Sequence, residues 1–102
     1  MQYIIIAQDG TDDQALQRRM NARPSHLDYS DNTGIPNGEQ LMGAAILNDR
    51  NEMCGSVMIV EFENRAKLDE WLEKEAYVTG NVWQDIQIIP CKVGPSFLKS
   101  DI

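Results

Sequence analysis

The chain has 102 residues, 42% hydrophobic and 25% charged, a size and balance that suit one domain around a single core. It carries 16 acidic residues against 9 Lys+Arg, a net charge of −7, which argues against nucleic acid and anionic membrane as partners because both are met by basic surfaces. No apolar run approaches the roughly 20 residues of a membrane span. The opening residues read as a strand rather than a signal peptide, so a cytoplasmic location is expected.

Residues 2–8 are a β-branched run, apolar on consecutive positions, which predicts a strand covered on both faces. Asp9-Gly10 turns the chain, and Thr11 is a natural cap for a helix predicted over 12–29. Leu16, Met20, Arg23 and Leu27 share one stripe of that helix, with Met20 and Leu27 read as core. Arg19, Arg23 and His26 line its flank at helical spacing. Pro24 is expected to kink or restart the helix one turn before His26.

Residues 30–38 read as a loop that could rim a site. Two strands follow, over 40–47 and 54–62, joined by a hairpin through the polar residues 48–52. Gly43 and Gly55 lie inside them, where glycine marks a bulge or a close approach by another group, a ligand or a packed helix. Asn64 is suited to cap a helix over 65–75 that buries Trp71 and Leu72. Residues 76–82 leave that helix through a glycine, and 83–93 read as a last strand with Pro90 at an edge. The tail 93–102 is expected to be irregular, with Phe97 and Leu98 packing onto the body or a partner.

This order, βαββαβ, is the α+β ferredoxin-like arrangement with an antiparallel sheet, in a single domain over 1–102. Two helices cover one face of the sheet. Apolar residues on the other face then call for a homodimer packed sheet to sheet.

His26 is the only histidine, and histidine is the side chain whose ordinary pKa lies nearest neutrality. It is therefore the candidate for proton transfer. Arg23, one turn away, is the first candidate to hold an anion, with Arg18 after it. The alternative for these arginines is a solvated face partnered by acidic neighbours. Cys54 and Cys91 form no motif and read as reduced, small hydrophobes. Neither metal nor cofactor is expected, since no ligand spacing, phosphate loop or nucleotide fingerprint occurs.

Arg18, the block Arg23-Pro24-Ser25-His26-Leu27, Gly43, Gly55-Ser56 and the segment from Glu75 to Val82 together resemble the YciI-like (YCII-related) family. That resemblance implies a dimeric α+β barrel and a histidine–aspartate catalytic pair. The histidine falls on His26. At the aspartate's place stands Glu75, in Glu75-Ala76-Tyr77 where the family has Asp-Pro and an aromatic residue. Tyr77, Gly43 and Ser56 join Arg23 and Arg18 as candidate substrate contacts. Activities associated with the family and its fold include dehydrochlorination of chlorinated aromatics and muconolactone isomerisation. The implied chemistry is proton transfer on a small anionic molecule. The alternative is a non-catalytic dimeric module that binds a metabolite or a protein partner.

Overall fold

The apolar run at the start of the chain resolves into two faces in the computed structural model, which describes residues 1–98. Along β1 (Gln2–Asp9), Tyr3, Ile5, Ala7 and Asp9 are buried, while Ile4 and Ile6 between them are half-buried. The pleat points successive side chains to opposite sides of the sheet, so the consecutive isoleucines serve two surfaces.

After β1 come α1 (Ala15–Tyr29), a π-helical turn (Ser30–Gly34), β2 (Gln40–Leu47), β3 (Met53–Glu61), α2 (Arg65–Lys74), the single-turn α3 (Ala76–Thr79), β4 (Trp83–Cys91) and a 3-10 turn (Pro95–Leu98). The four strands form one antiparallel sheet in the order β2-β3-β1-β4. That is the ferredoxin-like α+β topology expected from the element order. The core lies between the helices and one sheet face, built from Ile5, Met58, Val60, Leu68, Trp71, Tyr77 and Trp83.

Several local expectations change. Thr11 does not cap α1. The helix starts at Ala15, and the Asp12 carboxylate accepts from the Gln14 N–H at 3.2 Å ahead of it. Pro24 neither breaks nor restarts the helix, which runs on to Tyr29 with one hydrogen bond fewer. The expected loop over 30–38 begins as a π-helical turn that continues α1, the Ile35 N–H reaching the Ser30 carbonyl at 2.9 Å. Asn64 does cap α2, accepting from the Lys67 N–H at 3.0 Å. Leu68 and Trp71 are buried beneath that helix and Leu72 is half-buried.

Gly55 owes its identity to the sheet. A Cβ there would lie 2.6 Å from the Ala7 carbonyl oxygen on the paired strand. Pro90 sits in an edge strand, where its missing N–H costs no central ladder bond. Cys54 and Cys91 are free and only half-buried. Phe97 is 85% exposed and does not pack onto the protomer, whereas Leu98 is 43% exposed. The rest of the expected tail, 99–102, lies outside the described residues.

Among the described residues no α-helix covers the second sheet face. By register, Ile4 and Ile6 share it with Val57 and Ile59 of β3, Met42 and Ala44 of β2, and Ile89 of β4. All are half-buried or exposed. No helix among the described residues is long and apolar enough to cross a membrane.

Candidate active site

The site begins with a carboxylate at the end of β1. Asp9 continues the inward alternation of Tyr3, Ile5 and Ala7, so the strand carries an acidic side chain to the buried face. Burial pushes its carboxyl above the usual carboxylate range, against the opposing pull of Arg19. A buried carboxylate needs a cation, and Arg19 supplies one: Nη1 donates to both Asp9 oxygens at 3.0 and 3.1 Å.

That pairing sets the rotation of α1. Its buried side is Ala15 and Arg19, followed by half-buried Ala22, His26 and Tyr29. The expected core residues Leu16, Met20 and Leu27 face outward instead, 36%, 45% and 37% exposed. The flank read as the edge of the core is in fact its centre.

Arg19 also donates from Nη2 to the Ser56 hydroxyl at 2.9 Å, and the Trp83 indole N–H donates to the same oxygen at 3.2 Å. Its guanidinium carbon lies 4.6 Å from the centre of the Tyr77 ring, within cation–π range. Burial raises the Tyr77 phenol above its ordinary value, with Arg19 and Arg23 acting the other way. Tyr77 in turn stacks on His26, centroids 4.1 Å apart and planes 16° from parallel.

Glu75 closes the group. It ends α2 with an extended backbone and then starts α3, its carboxylate accepting from the Tyr77 N–H at 3.3 Å as an N-cap. The same oxygen, Oε1, meets His26 Nδ1. The Glu75 side chain is almost fully buried, and that of His26 is 14% exposed. The acceptor on Nδ1 leaves Nε2 as the ring nitrogen with no partner among the described residues.

These side chains edge a cavity of about 360 Å³ between α1, the turn after it and the β2–β3 half of the sheet. Of the residues expected to form a site, His26, Arg23, Tyr77, Gly43 and Ser56 line this cavity, and Glu75 stands behind His26. Arg23 makes no hydrogen bond or ion pair with any other described residue. Gly43 is uncrowded, since a Cβ there would meet only Met58 Cγ at 3.8 Å. Arg18 stands apart: it forms a two-pronged pair with Asp12 at 2.8 and 2.7 Å and reaches the Asn81 carbonyl, beside a separate, open hollow. It holds the Asp12 carboxyl well below the usual range.

Arg19 and Gln40 line the cavity although the sequence did not single them out as ligand contacts. Asp9, inward in β1 and ahead of an arginine-bearing helix, was the available signal for Arg19. Among the described residues no three His, Cys, Asp or Glu side chains converge to hold a metal ion.

Comparison with known proteins agrees with this architecture. The model of the YCII-related domain matches residues 1–92. Protein YciI of Escherichia coli O6:H1 is 30% identical over 99 residues, covering 90% of this chain and 97% of that protein. An uncharacterised protein of Haemophilus influenzae is 29% identical over 97 residues, with the same coverage. Among solved structures, a 5-chloro-2-hydroxyhydroquinone dehydrochlorinase from Burkholderia phenoliruptrix, in complex with 2,5-dihydroxybenzoquinone, superposes with a TM-score of 0.76 at 22% identity, covering 94% of this chain and 98% of that one. A dimeric ferredoxin-like protein of unknown function from Jannaschia sp. gives 0.50 at 13% identity, covering 90% and 98%. The match over residues 1–92 and the identity to protein YciI place the chain in the YCII-related family.

Proposed function

We propose that the protein is a small acid–base enzyme that works without a cofactor on a small organic anion, as a homodimer. The observation that carries this reading is the contact of His26 Nδ1 with the buried Glu75 carboxylate at the wall of a cavity. With Nδ1–H donated to Glu75, the lone pair on Nε2 serves as the base. It takes a proton from a substrate carbon or hydroxyl, and the C–H or O–H bonding pair stays on the substrate. Glu75 stabilises the imidazolium that forms. In an elimination the retained pair becomes a new double bond, and the leaving group departs with its own bonding pair. In an isomerisation His26 returns the proton to a different atom. Arg23, at the cavity and without a partner among the described residues, holds the anionic end.

The dehydrochlorinase of the same fold, with its bound dihydroxybenzoquinone, supports elimination on an oxygenated ring as the reaction to test first. The uncovered apolar sheet face and the dimeric neighbour support the homodimer. The experiment is turnover of 5-chloro-2-hydroxyhydroquinone and related halogenated hydroxyhydroquinones, read as halide release, by wild type and His26→Ala. Substitution should lower the rate by about 10²–10⁴ with the fold intact. Undiminished turnover rejects His26 as the base.

A further inference from the structure

One residue lining the cavity, Gln40, plays no part in the acid–base reading. Gln40 is 6% exposed, and its side-chain Nε2 is buried with no hydrogen-bond partner among the described residues. Arg19 Nε, on another wall of the same cavity, is likewise buried and unpaired. Leaving a buried N–H unsatisfied costs stability, and an apolar side chain of the same length would avoid that cost.

Two features of the chain hold Gln40 there. A bulge near the start of β2 shifts the register, so that Gln40 pairs with Val60 while Gly43 pairs with Met58. Both partners belong to the buried face, so the bulge brings the even-numbered Gln40 onto the side of the odd-numbered Gly43. Gly34, at the end of the π-helical turn, then lies directly against the amide. A Cβ on Gly34 would come within 2.6 Å of Gln40 Cδ and 2.8 Å of Oε1.

We infer that Gln40 is a specificity-determining residue whose amide donates a hydrogen bond to an acceptor oxygen of the bound molecule. The inference rests on the proposed function, which supplies the cavity's occupant, and narrows it. The ligand is a small organic anion with oxygen at two edges, one held by Arg23 and one addressed by Gln40. Carbonyl, phenolate and carboxylate oxygens fit that requirement, whereas a ring that is bare of acceptors along the Gln40 edge does not.

The test uses calorimetric binding of 2,5-dihydroxybenzoquinone and thermal melting of the intact protein. Gln40→Met keeps the length of the side chain and removes the amide. It should raise the melting temperature and weaken binding about tenfold or more, the loss of one hydrogen bond to a charged acceptor. Gly34→Ala, which displaces the amide without removing it, should weaken binding in the same sense. Binding by Gln40→Met equal to wild type, in a protein where Arg23→Ala has lost affinity, overturns the role of Gln40 alone. A lower melting temperature for Gln40→Met also overturns it, since the amide would then have a structural partner. Wild-type protein that binds none of the quinone refutes the proposed cavity function and this inference with it.

Discussion

His26 and Tyr77 lie face to face, ring centroids 4.1 Å apart and planes 16° from parallel. The Tyr77 backbone N–H anchors the Glu75 carboxylate, which in turn holds His26 Nδ1. One residue therefore fixes the plane of the imidazole by its ring and the orientation of the imidazole's partner by its backbone. Arg19, Asp9, Ser56 and Trp83 brace that residue from the side.

This arrangement makes Glu75→Gln informative. The glutamine oxygen can still cap α3 through the Tyr77 N–H, so the fold should survive. The same oxygen position meets Nδ1, so the amide oxygen also keeps accepting from Nδ1–H, and what the variant removes is the negative charge that stabilises the imidazolium. A rate loss of about 10²–10⁴ is expected with little change in melting temperature. Nitrogen NMR of the imidazole should show the proton still on Nδ1, and an undiminished rate in that variant would refute the role of the Glu75 charge.

Removing one member of the buried Arg19–Asp9 pair should be severe. Arg19→Met is expected to cost about 3–5 kcal/mol, because it leaves a carboxylate buried without its cation. Burial already raises the Asp9 carboxyl, and without Arg19 it rises further. A group whose folded-state pKa is raised contributes stability that is present at low pH and lost as pH climbs through that value. The variant should therefore lose stability from acid towards neutral pH, measured by urea unfolding. The double variant Asp9→Leu/Arg19→Met should recover most of the loss.

Tyr29 supplies an alkaline signature. Burial and its hydrogen bond to Glu39 at 2.5 Å push its phenol up to about 12 from an ordinary value of 10.0. The neutral phenol is favoured in the fold, so its contribution is complete below pH about 10 and disappears as pH rises through about 12. Tyr29→Phe should cost roughly 1.5–3 kcal/mol at neutral pH, the worth of a hydrogen bond to a charged acceptor. It should also flatten this part of the stability curve. Near-ultraviolet phenolate absorbance, followed through the same range, checks the assignment.

The uncovered sheet face makes a prediction about assembly. Ile59 pairs with Ile4 on one side and Met42 on the other. Ile59→Lys places a charge in the middle of that face, where a protomer alone leaves the side chain half-buried. Sedimentation should show a folded monomer for the variant and a dimer for wild type. A monomeric wild type would remove the dimer from the proposal.

Strands, order and topology were legible because apolar, β-branched runs and the turn residues between them report them locally. The rotation of α1 was not. Hydrophobicity ranks Leu16, Met20 and Leu27 as core, yet the sheet beneath the helix ends in Asp9 and selects Arg19. The flanking line of Arg19, Arg23 and His26 was visible, though its depth depended on that carboxylate. Glu75 and His26 were readable as candidate partners, whereas the capping of α3 that fixes Glu75 requires the backbone turn at 75. Gln40 was hidden by a bulge, since counting residues from Gly43 puts it on the wrong face.

The inward side of α1 has a consequence for how this molecule can change. Its inward positions are Ala15, Arg19, Ala22, His26 and Tyr29, with no leucine among them. A substitution that retunes the chemistry at these positions also loosens the attachment of the helix. New specificity should therefore arise most readily from the exposed stretch 42–45 of β2, which borders the same cavity.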